Sequence, residues 1–171
     1  LTHASLANVP GPGSPSDDGP GTIEYGWDWN TGSIAEGTYN PRLTVWDASG
    51  LSSSKTMFIG IDRTAPTIAT PTIGNGGQWS DSTSVTISGF DSATDDGSGS
   101  GLDYVQIQQD NIWSNVSDSS TTLTFEEGEH QILIRAVDRV GNIGTAITVD
   151  VKVDVTEPEG ISWNVDEIST S

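Results

Sequence analysis

The feature that most constrains this chain is an internal repeat. Placing Glu36-Gly37-Thr38-Tyr39 over Glu127-Gly128-Glu129-His130, 91 positions on, also brings Asp47 onto Asp138 and Gly50 onto Gly141. One further inserted residue sets DRTAP at 62–66 over DVTEP at 154–158. Self-similarity at a fixed period means one structural unit used twice, and 171 residues hold two small domains.

Within each copy the apolar residues recur at period two. Ile132, Ile134 and Ala136 fall on one side of one run, and Ile147, Val149, Val151 and Val153 alternate with Thr148, Asp150, Lys152 and Asp154 in the next. Leu43 and Val45, then Met57, Ile59 and Ile61, occupy the corresponding places in the first copy. Such alternation marks half-buried strands. DASGL at 47–51 and DRVGN at 138–142 join them as turns, where Asp bonds nearby backbone and Gly takes positive φ. Earlier strands of the second copy are expected at Val85–Ser88, Tyr104–Gln108 and Thr121–Phe125. With 20 Gly, 8 Pro and no helical stripe, the fold class is all-β and antiparallel.

The order of motifs in WDWNTGSIAEGTYNPRLTVWDASGL…IDRTAP at 27–66 resembles the bacterial and archaeal Ig-like domains of large surface proteins, adhesins and secreted hydrolases. Residues 97–158 resemble the same family, with His130 where the first copy has Tyr39. The resemblance implies tandem immunoglobulin-like β-sandwiches, which the repeat and its unequal segment lengths divide into 1–62 lacking its first strand, 63–155, and 156–171 as the first strand of a further module or a donor strand. The family itself implies no single function; the favoured reading for this chain is a non-catalytic structural or adhesive module of a surface protein or extracellular filament, secreted or on the cell surface, with neighbouring Ig-like domains or other copies of itself as partners. An accessory carbohydrate-binding module of a secreted hydrolase is the alternative.

Twenty-four Asp and Glu against six Lys and Arg give a net charge of −18. That surface repels phosphate, which excludes a nucleic-acid partner, and no run approaches the roughly 18 apolar residues of a membrane-inserting helix. Without cysteine, thiol chemistry and disulfides are excluded. The two histidines, His3 and His130, suggest no catalytic constellation, and His130 is expected to bridge a strand to a loop as Tyr39 does.

Asp91, Asp95, Asp96 and Asp103, interspersed with Gly97, Gly99 and Gly101, are the candidate calcium ligands. Calcium takes several oxygen donors, and Gly lets backbone wrap closely. The spacing is not that of an EF-hand, and the sequence favours a solvated loop over the calcium site. Asp62 and Asp154 stand at the module ends, near the DxxG turns; they suit turn formers ahead of a Pro better than ions bridging to a neighbour. The six Trp are expected in the cores rather than on a sugar-binding face. Asn115-Val116-Ser117 is an N-glycosylation sequon.

LTHASLAN at 1–8 matches SVTISGFD at 84–91, which predicts that it is the second strand of its sandwich. Either the chain is an excerpt of a longer array, which is the favoured reading, or Ile161, Trp163 and Val165 form a strand that completes another copy and builds a filament.

Overall fold

The computed structural model describes residues 3–8, 14–17, 25–74, 76 and 79–160. The assembly residues Ile161, Trp163 and Val165 lie outside them. All regular elements are antiparallel strands except one 3-10 turn at Phe90–Ser92. Among the described residues, no strand in 3–61 is paired with a strand in 72–153.

The C-terminal set is a sandwich. β8 (Thr72–Ile73), β9 (Ser84–Ser88) and β12 (Ser120–Thr124) form one sheet in the order β12-β9-β8. β10 (Leu102–Gln109), β11 (Ile112–Val116), β13 (Gly128–Asp138) and β14 (Ile147–Val153) form the other in the order β11-β10-β13-β14. Period-two patterning builds the interior, as in immunoglobulin-like sandwiches. Val85 and Ile87 point in from one sheet, Val105, Ile107, Ile132, Ile134, Val149, Val151 and Val153 from the other, and Phe90 and Phe125 pack with them. The outward positions of β13 and β14 carry polar partners directly opposite one another: Lys152 Nζ reaches Glu129 Oε1 at 3.0 Å, and Gln131 Nε2 donates to Asp150 Oδ1 at 2.9 Å.

The N-terminal set contains β1 (His3–Ala7), β2 (Ser14–Asp17), β3 (Tyr25–Asp28), β4 (Gly37–Tyr39), β5 (Arg42–Trp46), β6 (Ser52–Thr56) and β7 (Ile59–Ile61). Its sheets run β1-β5-β6, β2-β3 and β4-β7. Where β13 is continuous for 11 residues, its counterpart here is divided into β4 and β5. Pro41, buried and without an N–H, stands between them and accepts from the Met57 backbone through its carbonyl.

Two expectations are corrected. β1 pairs with β5, as β10 pairs with β13, so residues 3–7 of the segment expected to match β9 correspond in position to β10 instead. Alternation shows that a segment is a strand but does not say which strand it lies beside. Nor do the described indoles fill the cores. Trp113 lies on the outer face under the Arg135 guanidinium, 3.8 Å from the ring centroid, and Trp79 is 48% exposed, with Lys152 Nζ 5.5 Å from its ring. Trp29 and Trp46 are half-buried, Trp29 edge-on to Tyr39. The core takes aliphatic side chains and Phe instead, which need no hydrogen-bond partner for a ring N–H.

Candidate functional site

The segment between the two strand sets is bonded on both sides. After Ile61, the last residue of β7, Asp62 Oδ1 accepts the Thr64 N–H at 3.1 Å, a local turn that Asp forms readily. The Glu36 carboxylate takes the Arg63 N–H at 2.6 Å and the Thr64 hydroxyl at 2.7 Å. The Arg63 guanidinium donates to the carbonyls of Thr31 and Ile34. These contacts hold the segment to the N-terminal set.

Contacts to the C-terminal set begin at the same aspartate. Asp62 Oδ2 accepts the Ser100 N–H at 2.5 Å. Thr67 and Thr94 then exchange both backbone hydrogen bonds at 2.8 Å. Pro66 is buried, and Gly144 is packed so closely beneath it that an added Cβ would fall on the Pro66 carbonyl.

Two other carboxylates meet Asp62. Asp95 closes its own Gly-rich loop, Oδ1 accepting the Asp96 N–H at 2.9 Å and Oδ2 the Gly101 N–H at 2.8 Å. Asp138 organises the DRVGN turn: Oδ1 accepts from the Val140 and Asn142 backbone at 2.9 and 2.8 Å, and Oδ2 from Asn142 Nδ2 at 2.7 Å. Asp62, Asp95 and Asp138 each bring an oxygen within 4.8 Å of the other two. Asp138 is 1% exposed, the others half-buried. The described residues supply no Lys or Arg ion pair to any of the three.

The Ser100 N–H holds the Asp62 carboxyl below its ordinary pKa, helped by the Ser100 hydroxyl, and this outweighs desolvation; the Thr64 N–H and the Asp138 side chain add to it. Ser100 Oγ is itself buried and makes no hydrogen bond of good geometry, although it lies close enough to Asp62 to have that effect. The site thus gathers three carboxylates and a hydroxyl, hard oxygen donors of the kind calcium takes.

Of the four acidic residues singled out from sequence, Asp95 belongs to this group. Asp91 is exposed in the 3-10 turn, Asp103 is exposed on β10, and Asp96 bonds the Ser98 N–H and hydroxyl within its own loop. Asp62 and Asp138 were legible as a linker residue and a turn former; their meeting with Asp95 was not, though the repeat already sets DxTxP beside DxxG. Asn115 is exposed on β11, its Oδ1 accepting from Gln106 Nε2 at 3.0 Å. His130 Nε2 bonds the Glu126 carbonyl at 2.8 Å, and the Tyr39 hydroxyl donates to the Ala35 carbonyl at 2.7 Å, each reaching four residues back.

No protein-family profile matches the chain, so the likeness to surface-protein repeats rests on the motifs alone. No curated protein matches it. Similar solved structures include the fibronectin(III)-like modules of Clostridium thermocellum CbhA, at 18% identity, 76% coverage of this chain and 70% of that one, with a TM-score of 0.38.

Proposed function

We propose that the chain is two Ig-like modules in series, 1–62 and 63–155, acting as a non-catalytic stiff spacer in an extracellular array, with calcium bound where the modules join. The observation that carries this reading is the double attachment of residues 62–67, gripped by Glu36 on one side and by Ser100 and Thr94 on the other. A flexible tether would leave those backbone groups to water.

Calcium supplies the missing counter-charge. Three carboxylates so close repel one another, and a divalent ion coordinated by Asp62, Asp95, Asp138 and the Ser100 hydroxyl turns that repulsion into attraction across the joint. The surface charge of −18 suits a medium rich in screening cations. The carbohydrate-binding alternative draws no support from Trp79 and Trp113, since a cation already lies over each ring.

The absence of cysteine makes the test direct. Spin labels on Lys55→Cys and Ser114→Cys, both exposed, report the distance across the joint. One narrow distance in millimolar calcium, broadened by chelator and by Asp62→Ala, is the expected result. A broad distribution in all conditions overturns the spacer reading, and a narrow one indifferent to calcium removes the ion.

A further inference from the structure

The grip on Asp62 and Thr64 recurs at the far end of the second strand set. Asp154 Oδ1 accepts the Thr156 N–H at 3.1 Å, as Asp62 Oδ1 accepts that of Thr64 at the same distance. The Thr156 hydroxyl lies 2.8 Å from both oxygens of Glu127, as the Thr64 hydroxyl lies 2.7 Å from Glu36. The two glutamates precede Gly37 and Gly128, whose φ values are 137° and 130°. Only glycine enters that region freely, so backbone as well as side chains repeat.

What differs is the covering. Asp62 and Thr64 are half-buried and Pro66 is buried, because the following strand set lies over them; Asp154, Thr156 and Pro158 are all exposed. Asp62 spends its second oxygen on Ser100, whereas Asp154 Oδ2 accepts no hydrogen bond among the described residues. The grip does not require the covering. It forms from the sandwich's own Glu and Thr and leaves one oxygen of the exposed Asp154 carboxylate without a hydrogen bond among the described residues.

We infer that Asp154, Thr156 and Glu127 form a ready-made docking end, whose occupant is a further module of the same kind joined through Pro158 and presenting the Ser100–Gly101 loop and the Asp138 turn. This inference rests on the array reading. It adds a division of labour: each module builds the outgoing half of a joint from its own last strand, and the incoming half from its Gly-rich loop and DxxG turn. The first joint supplies the precedent for the occupant, because there the equivalent oxygen, Asp62 Oδ2, accepts the Ser100 N–H of the following strand set.

The test replaces 159–171 with a second copy of 67–158, which continues the chain from Pro158 as Thr67 continues it from Pro66. Spin labels on Ser114→Cys in both copies report the new joint, and Lys55→Cys with the first Ser114→Cys reports the existing one. One narrow distance at the new joint is expected, lost in Asp154→Ala and Thr156→Val while the existing joint stays narrow. Asp154→Asn, which keeps an acceptor for the Thr156 N–H, guards against a trivial folding defect, checked by unchanged thermal melting of each module. A broad new joint, or a narrow one indifferent to these substitutions, overturns the inference. If the existing joint remains narrow and sensitive to Asp62→Ala, the array reading survives that failure; if both joints are broad, both fall.

Discussion

The Ser100 backbone N–H donates to Asp62 Oδ2 at 2.5 Å across 38 residues of sequence, so the aspartate that ends one set of strands is held by a loop of the next. The hydrogen bond also makes the joint acid-sensitive. Asp62 has a folded-state pKa below its ordinary value of 3.8. A depressed pKa means the folded state favours the ionised form, so the stabilisation is complete above the ordinary value and is lost as pH falls through the lower folded one. Melting temperature should therefore fall in strongly acidic buffer, less steeply in Asp62→Asn. Asp47, lowered chiefly by the Ser49 hydroxyl, contributes in the same sense and should keep the variant's slope above zero.

Calcium should raise the melting temperature of the chain in proportion to the logarithm of its free concentration, since binding to the folded state alone stabilises by mass action. Asp95→Asn should abolish the calcium increment. Asp91→Asn and Asp103→Asn should retain it, because neither carboxylate joins the group of three. Calorimetry with calcium, chelator and a magnesium control reads the difference.

Gly144→Ala should destabilise the chain by about 1–3 kcal/mol, a typical cost of overpacking. The added methyl meets two backbone carbonyls, those of Pro66 and Ala136, and backbone cannot rotate away as a side chain can. Gly99→Ala is the instructive contrast. Its Cβ would lie 2.5 Å from Asp95 Oδ2 and 2.7 Å from Asp96 Oδ1, so the carboxylates move instead. Urea unfolding should show a small change for Gly99→Ala, while the calcium response should be lost.

Ile134→Ala and Ile87→Ala, both at 0% exposure and on opposite sheets, should each cost about 2–5 kcal/mol. Phe58→Ala, at 80% exposure, should cost little despite removing a larger side chain. Equilibrium urea melts followed by far-ultraviolet circular dichroism compare the three directly.

His130→Tyr should fold well, because Tyr39 makes the corresponding bond to a carbonyl four residues back. His130→Phe keeps the ring contact with Phe125 but loses the bond to Glu126, at a net cost of about 0.5–1.5 kcal/mol. The two variants' melting midpoints should fall in that order.

What could be read from sequence was local or periodic. Ile132, Ile134 and Ala136 declare a buried face by spacing alone, and the 91-residue offset puts His130 in the role of Tyr39. What escaped reading depends on distant neighbours. LTHASLAN has a strand's alternation, yet the place of its residues His3–Ala7 beside β5 follows from pairing that no local pattern encodes. Trp113 looks like core until Arg135 is seen over it. Asp95 stood out because acidic residues crowd around it in sequence, whereas Asp62 and Asp138 approach it only after 33 and 43 intervening steps of chain have been folded back.

The grip of Glu36 on residues 63 and 64 has a mechanical consequence. A string of modules joined by slack segments lengthens under tension first by straightening those segments, at little energetic cost. Here the slack is already taken up, because Arg63, Thr64 and Thr67 are bonded to one body or the other. In the array proposed above, tension would therefore fall on the strand sets themselves, with β14 at a sheet edge pulled through its partner β13, and the joints would yield only after their hydrogen bonds break.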